Sequence, residues 1–241
     1  MLAEIAAEEL AAALDEQVAA TLADAAVAGP PVDARAVAAA LEIAVGEDDR
    51  QPGRARIVTR PAGMRPRAMI LVRPDPRDER RHWATAHEIG EHLAHQVFAR
   101  LGIDARECPP RAREQVANAL ANRLLLPRDW FLADAAACHW SLPELKRAYA
   151  TASHELIARR MLDFSPPVIV TVLDHGRITW RRANVPGRVP PLSPLERRCW
   201  AIAHEGTASE ASDAAQAVAA WPVHEPGWRR EILRTAIDVE T

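Results

Sequence analysis

The 241-residue sequence holds one lysine, Lys146, and one tyrosine, Tyr149, against thirty basic residues and seven tryptophans. The skew to arginine accompanies a high alanine content and carries no function by itself. Cysteine is scarce: Cys108, Cys138 and Cys199 are odd in number, widely spaced and form no C-x-x-C pair. That argues against a disulfide framework and against a thiolate zinc site. No run of about 18 apolar residues occurs, so no spanning helix is expected. The acidic start MLAEIAAEELAAALDEQ lacks the basic and apolar blocks of a secretory signal, and a reducing cytoplasm is the expected address. A net charge of −3 offers no global support for a nucleic-acid coat or a membrane-surface protein. With 49% hydrophobic and 26% charged residues the chain is globular, as one domain with additions or as two small ones.

What is present divides by periodicity. Residues 2–27 read as an amphipathic helix, with Leu10, Leu14, Val18 and Leu22 at every fourth place. Its apolar stripe packs on the rest of the chain or forms a dimer seam. GPP at 29–31 ends it, and 33–45 reads as a second helix capped by Asp33. ARIVTR and RAMILVRP, within 54–73, are β-like runs split by Pro and Gly. Helices are expected at 80–101, ended near Gly102, and at 111–126, stopped by Pro127. Two short helices follow within 142–162. PPVIVTVLDHGRITWRR reads as a hairpin around Asp174-His175-Gly176, and two further helices are expected near 193–205 and 208–220.

HWATAHEIGEHLAH, residues 82–95, approaches the zinc-protease signature H-E-x-x-H. On a helix, positions i and i+4 share a face, so two ligands there reach one ion while a Glu at i+1 meets the attacking water. The fourth place after His87 is Glu91, and a histidine stands one place later, at His92. At 100° per residue Glu91 lies about 40° round from His87 and His92 about 140° round. A regular helix therefore lets His87 and Glu91 share an ion and excludes His92; a π-bulge reverses that. His95 shares the face of His87 but lies about 12 Å further along. The dipeptide recurs at His154-Glu155, His204-Glu205 and His224-Glu225, followed at the fourth place by Ala158, Ala208 and Trp228, none of them a ligand.

Residues 67–95 and 111–127 resemble the ImmA/IrrE family of zinc metallo-endopeptidases, which are gluzincin-like. Members show a helix written like A-H-E-L-G-H-x-L-L-H, here AHEIGEHLAH. A second helix is written like E-x-x-A-N-x-F-A-A-x-L-L-M-P, here EQVANALANRLLLP at 114–127, with Glu114, Ala117, Asn118, Ala121, Leu124, Leu125 and Pro127 at unchanged spacing. The resemblance implies His87 as ligand, Glu88 as general base and Glu114 as a further ligand. It departs at Glu91, where the family has its second histidine. The eight-residue gap from His87 to His95 matches the family's gap, which favours substitution by Glu91 over an insertion that moves the ligand to His92. Carboxylate oxygen is a legitimate zinc ligand, and a His/Glu/Glu set also tolerates Mn²⁺ or Fe²⁺. Asn118, one turn after Glu114, either steadies that carboxylate or is an ordinary surface amide. Ala117 and Ala121 are small enough to let the two helices approach closely.

The segment 142–162 resembles the family's helix-turn-helix-like region, where Lys146, Arg147, Arg159 and Arg160 offer a modest basic face; the plainer alternative is a supporting helical hairpin. The fold expected is α+β: a helical metallopeptidase core with a small sheet beside the active-site helix, plus a small C-terminal α/β extension. Its parts are N-terminal helices at 1–50, a metallopeptidase domain at 51–164 and an extension at 165–241, which is regulatory or partner-binding. The resemblance implies a metal-dependent endopeptidase that cleaves a repressor-type protein partner laid along the sheet's edge. The alternative is a non-catalytic interaction or DNA-associated regulator.

Overall fold

The computed structural model describes residues 5–59, 68–164 and 166–237. Residues 2–4 of the expected first helix, the 60–67 stretch between the β-like runs, and residues 165 and 238–241 of the expected extension lie outside them. The chain forms two compact units, Met1–His139 with Glu144–Ser153, and Trp140–Pro143 with His154–Thr241. The class is α+β.

The first unit begins with α1 (Ala7–Asp24), whose stripe is buried: Leu14, Val18 and Leu22 are nearly inaccessible. The stripe therefore packs within the chain rather than forming a dimer seam. Gln17 on the same face donates to Gln96 at 2.9 Å, and Arg123 reaches Asp15 at 3.0 Å. In α2 (Ala34–Ala40), Asp33 caps the start by accepting from the backbone N–H of Arg35 and Ala36. The helix expected over 33–45 is cut short. Glu42 takes a left-handed backbone (φ 58°), and Ile43 then opens a strand, β1 (Ile43–Glu47). Burial of Ile43 and pairing with a later strand override the helical pattern.

The two β-like runs become β2 (Ala55–Thr59) and β3 (Ala68–Val72). Strand order is β1-β3-β2, with β1 parallel and β2 antiparallel to β3, so β2 is an edge. A turn leads from β3 into α3 (Asp78–Arg100), whose first turn carries Asp78 and Glu79 against the positive end of the helix dipole. α4 (Pro110–Leu125) ends before Pro127 as expected, but Pro127 then caps α5 (Arg128–Ala137), a helix absent from the sequence reading. Phe131 and Ala135, one turn apart and fully buried, are what hold it. α6 (Leu142–Ala148) and α7 (His154–Arg160) match the two short helices expected.

In the second unit, β4 (Val168–Asp174) and β5 (Arg177–Ala183) form the expected hairpin, with His175 and Gly176 both at positive φ, as a tight primed turn requires. α8 (Pro194–His204) opens with a capping box between Ser193 and Glu196. The helix expected over 208–220 is instead β6 (Ser209–Ser212) and β7 (Gln216–Pro222), followed by β8 (Arg230–Ile237). The five-stranded antiparallel order is β5-β4-β8-β7-β6. Alternate residues Val218 and Ala220 of β7 pack with Cys199 and Ala203 of α8 and Leu233 of β8. Alanine's helix preference is worth less here than that period-two burial.

The site is positioned by the crossing of α3 and α4. A methyl carbon added at Gly90 would stand 2.5 Å from the Ala117 carbonyl oxygen and 3.0 Å from its Cα. Both obstructions are backbone, so only glycine admits this approach. Gly90→Ala should lower stability by about 1–3 kcal/mol, as overpacking does, read from the urea unfolding midpoint; an unchanged midpoint would show that the helices separate freely.

Candidate metal centre

α3 carries His87, Glu88 and Glu91 without interruption of its α-helical form. The close crossing brings Glu114 and Asn118 of α4 opposite them. Ligand-type atoms of His87, Glu91 and Glu114 all lie within 4.8 Å of one another. His87 Nε2 stands 3.8 Å from Glu114 Oε2. His92 does not join this group. It is exposed and meets the ring of His95 edge-on, as regular helical geometry requires.

Asn118 links two of the three. Its Nδ2 donates to Glu114 Oε1 at 2.9 Å, and its Oδ1 lies 3.2 Å from His87 Nδ1. With the amide hydrogens spent on Glu114, the amide oxygen accepts from Nδ1–H, so the free lone pair of the imidazole sits on Nε2 and faces Glu114. That is the tautomer a metal ligand needs.

Three neighbours of the site were not legible in the sequence. Trp83 stacks on His87, with ring centroids 5.4 Å apart and planes at 23°, and its indole N–H donates to Asn122 at 3.1 Å. It precedes His87 by one turn on the same helix face, a spacing that offered a signal. Arg113 approaches Glu91 at 3.9 Å. The backbone N–H of Ile57, on the edge strand β2, lies near enough to the Glu88 carboxylate to pull its pKa down. That approach depends on the sheet lying beside α3 and left no trace in local sequence.

Glu88 is 8% exposed. Burial pushes its pKa up, and the charges of Glu91 and Glu114 push the same way; His87 and the Ile57 N–H pull it down without cancelling the rise. Three carboxylates thus converge, with Arg113 the sole guanidinium paired to them among the described residues. One imidazole and two carboxylates around an uncompensated negative pocket fit a divalent cation. A tetrahedral ion with bonds of about 2.1 Å spaces its ligands about 3.4 Å apart, within reach of small side-chain rotations from the separations found.

Residues 45–162 match the family model of the Peptidase M78, IrrE N-terminal-like domain. This stretch is IrrE-like. Every residue of the centre falls inside it. No curated protein matches the chain in sequence. Among solved structures, a Mycobacterium tuberculosis transcriptional regulator superposes with a TM-score of 0.63, covering 93% of this chain and 75% of its own, at 17% identity. That likeness extends the agreement in fold beyond the IrrE-like domain.

Other residues singled out by type lie elsewhere. His82 is buried, with Nδ1 accepting from Ala34 N–H and Nε2 3.1 Å from Asp78, so it fastens α2 to α3. His175 packs against Trp228 in the second unit. The basic face read over 142–162 is largely spent internally. Lys146 donates to the carbonyls of Ala150 and Ala152, Arg159 pairs with Glu155 and covers Trp180, and Arg160 is buried against Asp163 and Phe164. Arg147 stays exposed. Among the described residues no helix is long and apolar enough to cross a membrane.

A carboxyl whose pKa is raised on folding contributes stability below its unfolded value, and that contribution is lost as pH rises through the folded value. Metal-free protein should therefore lose stability as pH climbs from about 4.5 through the raised pKa of Glu88. Glu88→Gln, which does not titrate, should remove that loss. Thermal unfolding across pH in a neutral chelator checks this, and parallel curves for the two proteins would contradict it.

Proposed function

We propose that the chain is a metal-dependent endopeptidase acting on a protein partner of repressor type, with His87, Glu91 and Glu114 as metal ligands. The observation that carries this reading is the convergence of those three residues around a buried Glu88, inside an IrrE-like domain. Zn²⁺ is the first choice of ion, and the two carboxylates also admit Mn²⁺ or Fe²⁺. A bound divalent ion supplies Lewis acidity toward a peptide carbonyl and toward water.

The rest of the chemistry belongs to the chain's own groups. Glu88, buried beside the Ile57 N–H and raised in pKa by that burial, takes a proton from the attacking water and passes it to the leaving amine. Asn118 keeps the His87 lone pair on Nε2, and Trp83 limits rotation of the ring. The exposed edge of β2 gives an extended substrate a strand to pair with, next to Glu88. Two carboxylates near a dication leave it less acidic than a two-histidine site does, so turnover slower than that of two-histidine relatives follows.

A second reading is a regulator that keeps the fold without cutting. It is favoured by Glu91 itself and by the likeness to a transcriptional regulator; the spent basic residues over 142–162 weigh against direct DNA binding.

Elemental analysis of protein purified without chelator separates the assignments. Wild type should hold one divalent ion per chain, and Glu91→His should keep or tighten zinc. Glu91→Ala should lose affinity by at least about tenfold, and His92→Ala should match wild type. Equal metal in all four removes Glu91 from the site. Catalysis is tested by co-expression with a candidate repressor: Glu88→Gln should abolish its cleavage, and an intact cellular effect of that variant overturns the enzyme reading.

A further inference from the structure

A cleft of about 320 Å³ opens beside the start of β2, lined by Arg54, Arg73 and Arg80 over a floor of Val72 and Ala84. Val72 and Ala84 are buried. Arg54 and Arg73 stand directly opposite each other across the β2–β3 ladder: Ala55 pairs with Val72, and Arg73 N–H donates to the Arg54 carbonyl at 2.8 Å. Gln51, itself buried, holds this end of the ladder by donating to the carbonyls of Arg54 and Leu71. Like charges directly opposite on paired strands repel. Neither guanidinium has a carboxylate partner among the described residues. Asp75, the one acid of the lining, is taken by Arg80 at 3.3 Å and by the Arg77 N–H. The rim therefore carries two exposed cations at opposed strand positions, with no carboxylate paired to either among the described residues.

The place of this pair gives it meaning. Ala84 precedes Glu88 by one helical turn, about 6 Å along α3, and Arg54 precedes Ile57 by about 10 Å along β2. β2 and α3, which pack together, thus lead from the arginine pair to the Glu88 carboxylate beside Ile57. The geometry points to a specificity subsite: Arg54 and Arg73 receive the carboxylate of a glutamate or aspartate side chain in a peptide laid along β2, about three residues from the bond presented to Glu88. The apolar floor takes the methylene stem and the two guanidiniums take the oxygens. The substrate class is an acidic peptide segment. This assignment rests on the endopeptidase reading for its purpose, but the binding it describes needs neither metal nor turnover.

The test uses full-length Glu88→Gln protein, which cannot turn substrate over under the proposed mechanism. Short alanine-serine peptides, N-acetylated and C-amidated, carry a single Glu or Gln moved through successive positions, and their binding is read by fluorescence anisotropy. At one or two positions Glu should bind about tenfold more tightly than Gln, with the preference fading as salt rises. Arg54→Gln/Arg73→Gln should erase it without lowering the melting temperature, because both side chains are exposed and their mutual repulsion is removed. Arg54→Glu/Arg73→Glu should turn the preference toward Lys peptides. Equal binding of Glu and Gln peptides at every position overturns the subsite, as does a preference that survives the double substitution. Tighter binding of a single-stranded oligonucleotide than of any Glu peptide also overturns it. Failure here with metal bound to wild type leaves the protease reading standing; success without metal leaves the subsite standing and removes the protease.

Discussion

The contact between Gly90 and the backbone of Ala117 is the constraint on which the IrrE-like domain depends. His87, Glu88 and Glu91 belong to α3, Glu114 and Asn118 to α4, and nothing but the distance between those helices decides whether they form one group. Had Gly90 carried a side chain, the carbonyl of Ala117 would have been displaced, and the carboxylate of Glu114 with it. Trp83 and Asn122 add a further tie between the same two helices, and Asn118 joins His87 to Glu114 across their crossing. Packing and chemistry are here one arrangement.

The charge balance follows from that closeness. The crossing brings three carboxylates together, Glu88 buried, Glu91 partly covered and Glu114 exposed, and Arg113 sits at salt-bridge distance from only one of them. The rise in the pKa of Glu88 records the same cost. A centre so built is poorly stable as a bare cluster and better matched to a bound dication, which is the usual trade between stability and activity at a working site. Glu91 enlarges the imbalance, since it brings a negative charge where an imidazole would be neutral.

The second unit solves a different problem. Its buried acids are fully answered: Glu196 receives a two-pronged contact from Arg181 and a bond from Thr235, and Glu231 receives His204, His224 and the indole of Trp200. Such networks fix α8 on the sheet and the β7–β8 connection against it, because breaking one leaves a buried charge unpaired. They add polar ties to the apolar packing between α8 and the sheet.

Much of this could be read from residue order. Helix periodicity, the cap at Asp33, the breaks at Pro127 and Gly102, and the hairpin at Asp174-His175-Gly176 all follow from local rules, and the 100° step separated Glu91 from His92. The errors fell where tertiary burial outweighs local preference. Ile43–Glu47 is a strand because β3 offers it a partner, and the alanine-rich 209–222 is sheet because β8 and α8 cover it. The sequence by itself determined which side chains face the same way on one helix. Only the tertiary structure decided which helices and strands meet, and so brought Glu114 to His87, Ile57 to Glu88 and Arg54 to Arg73. Contacts between elements distant in the chain depend on packing, and packing has no period to read.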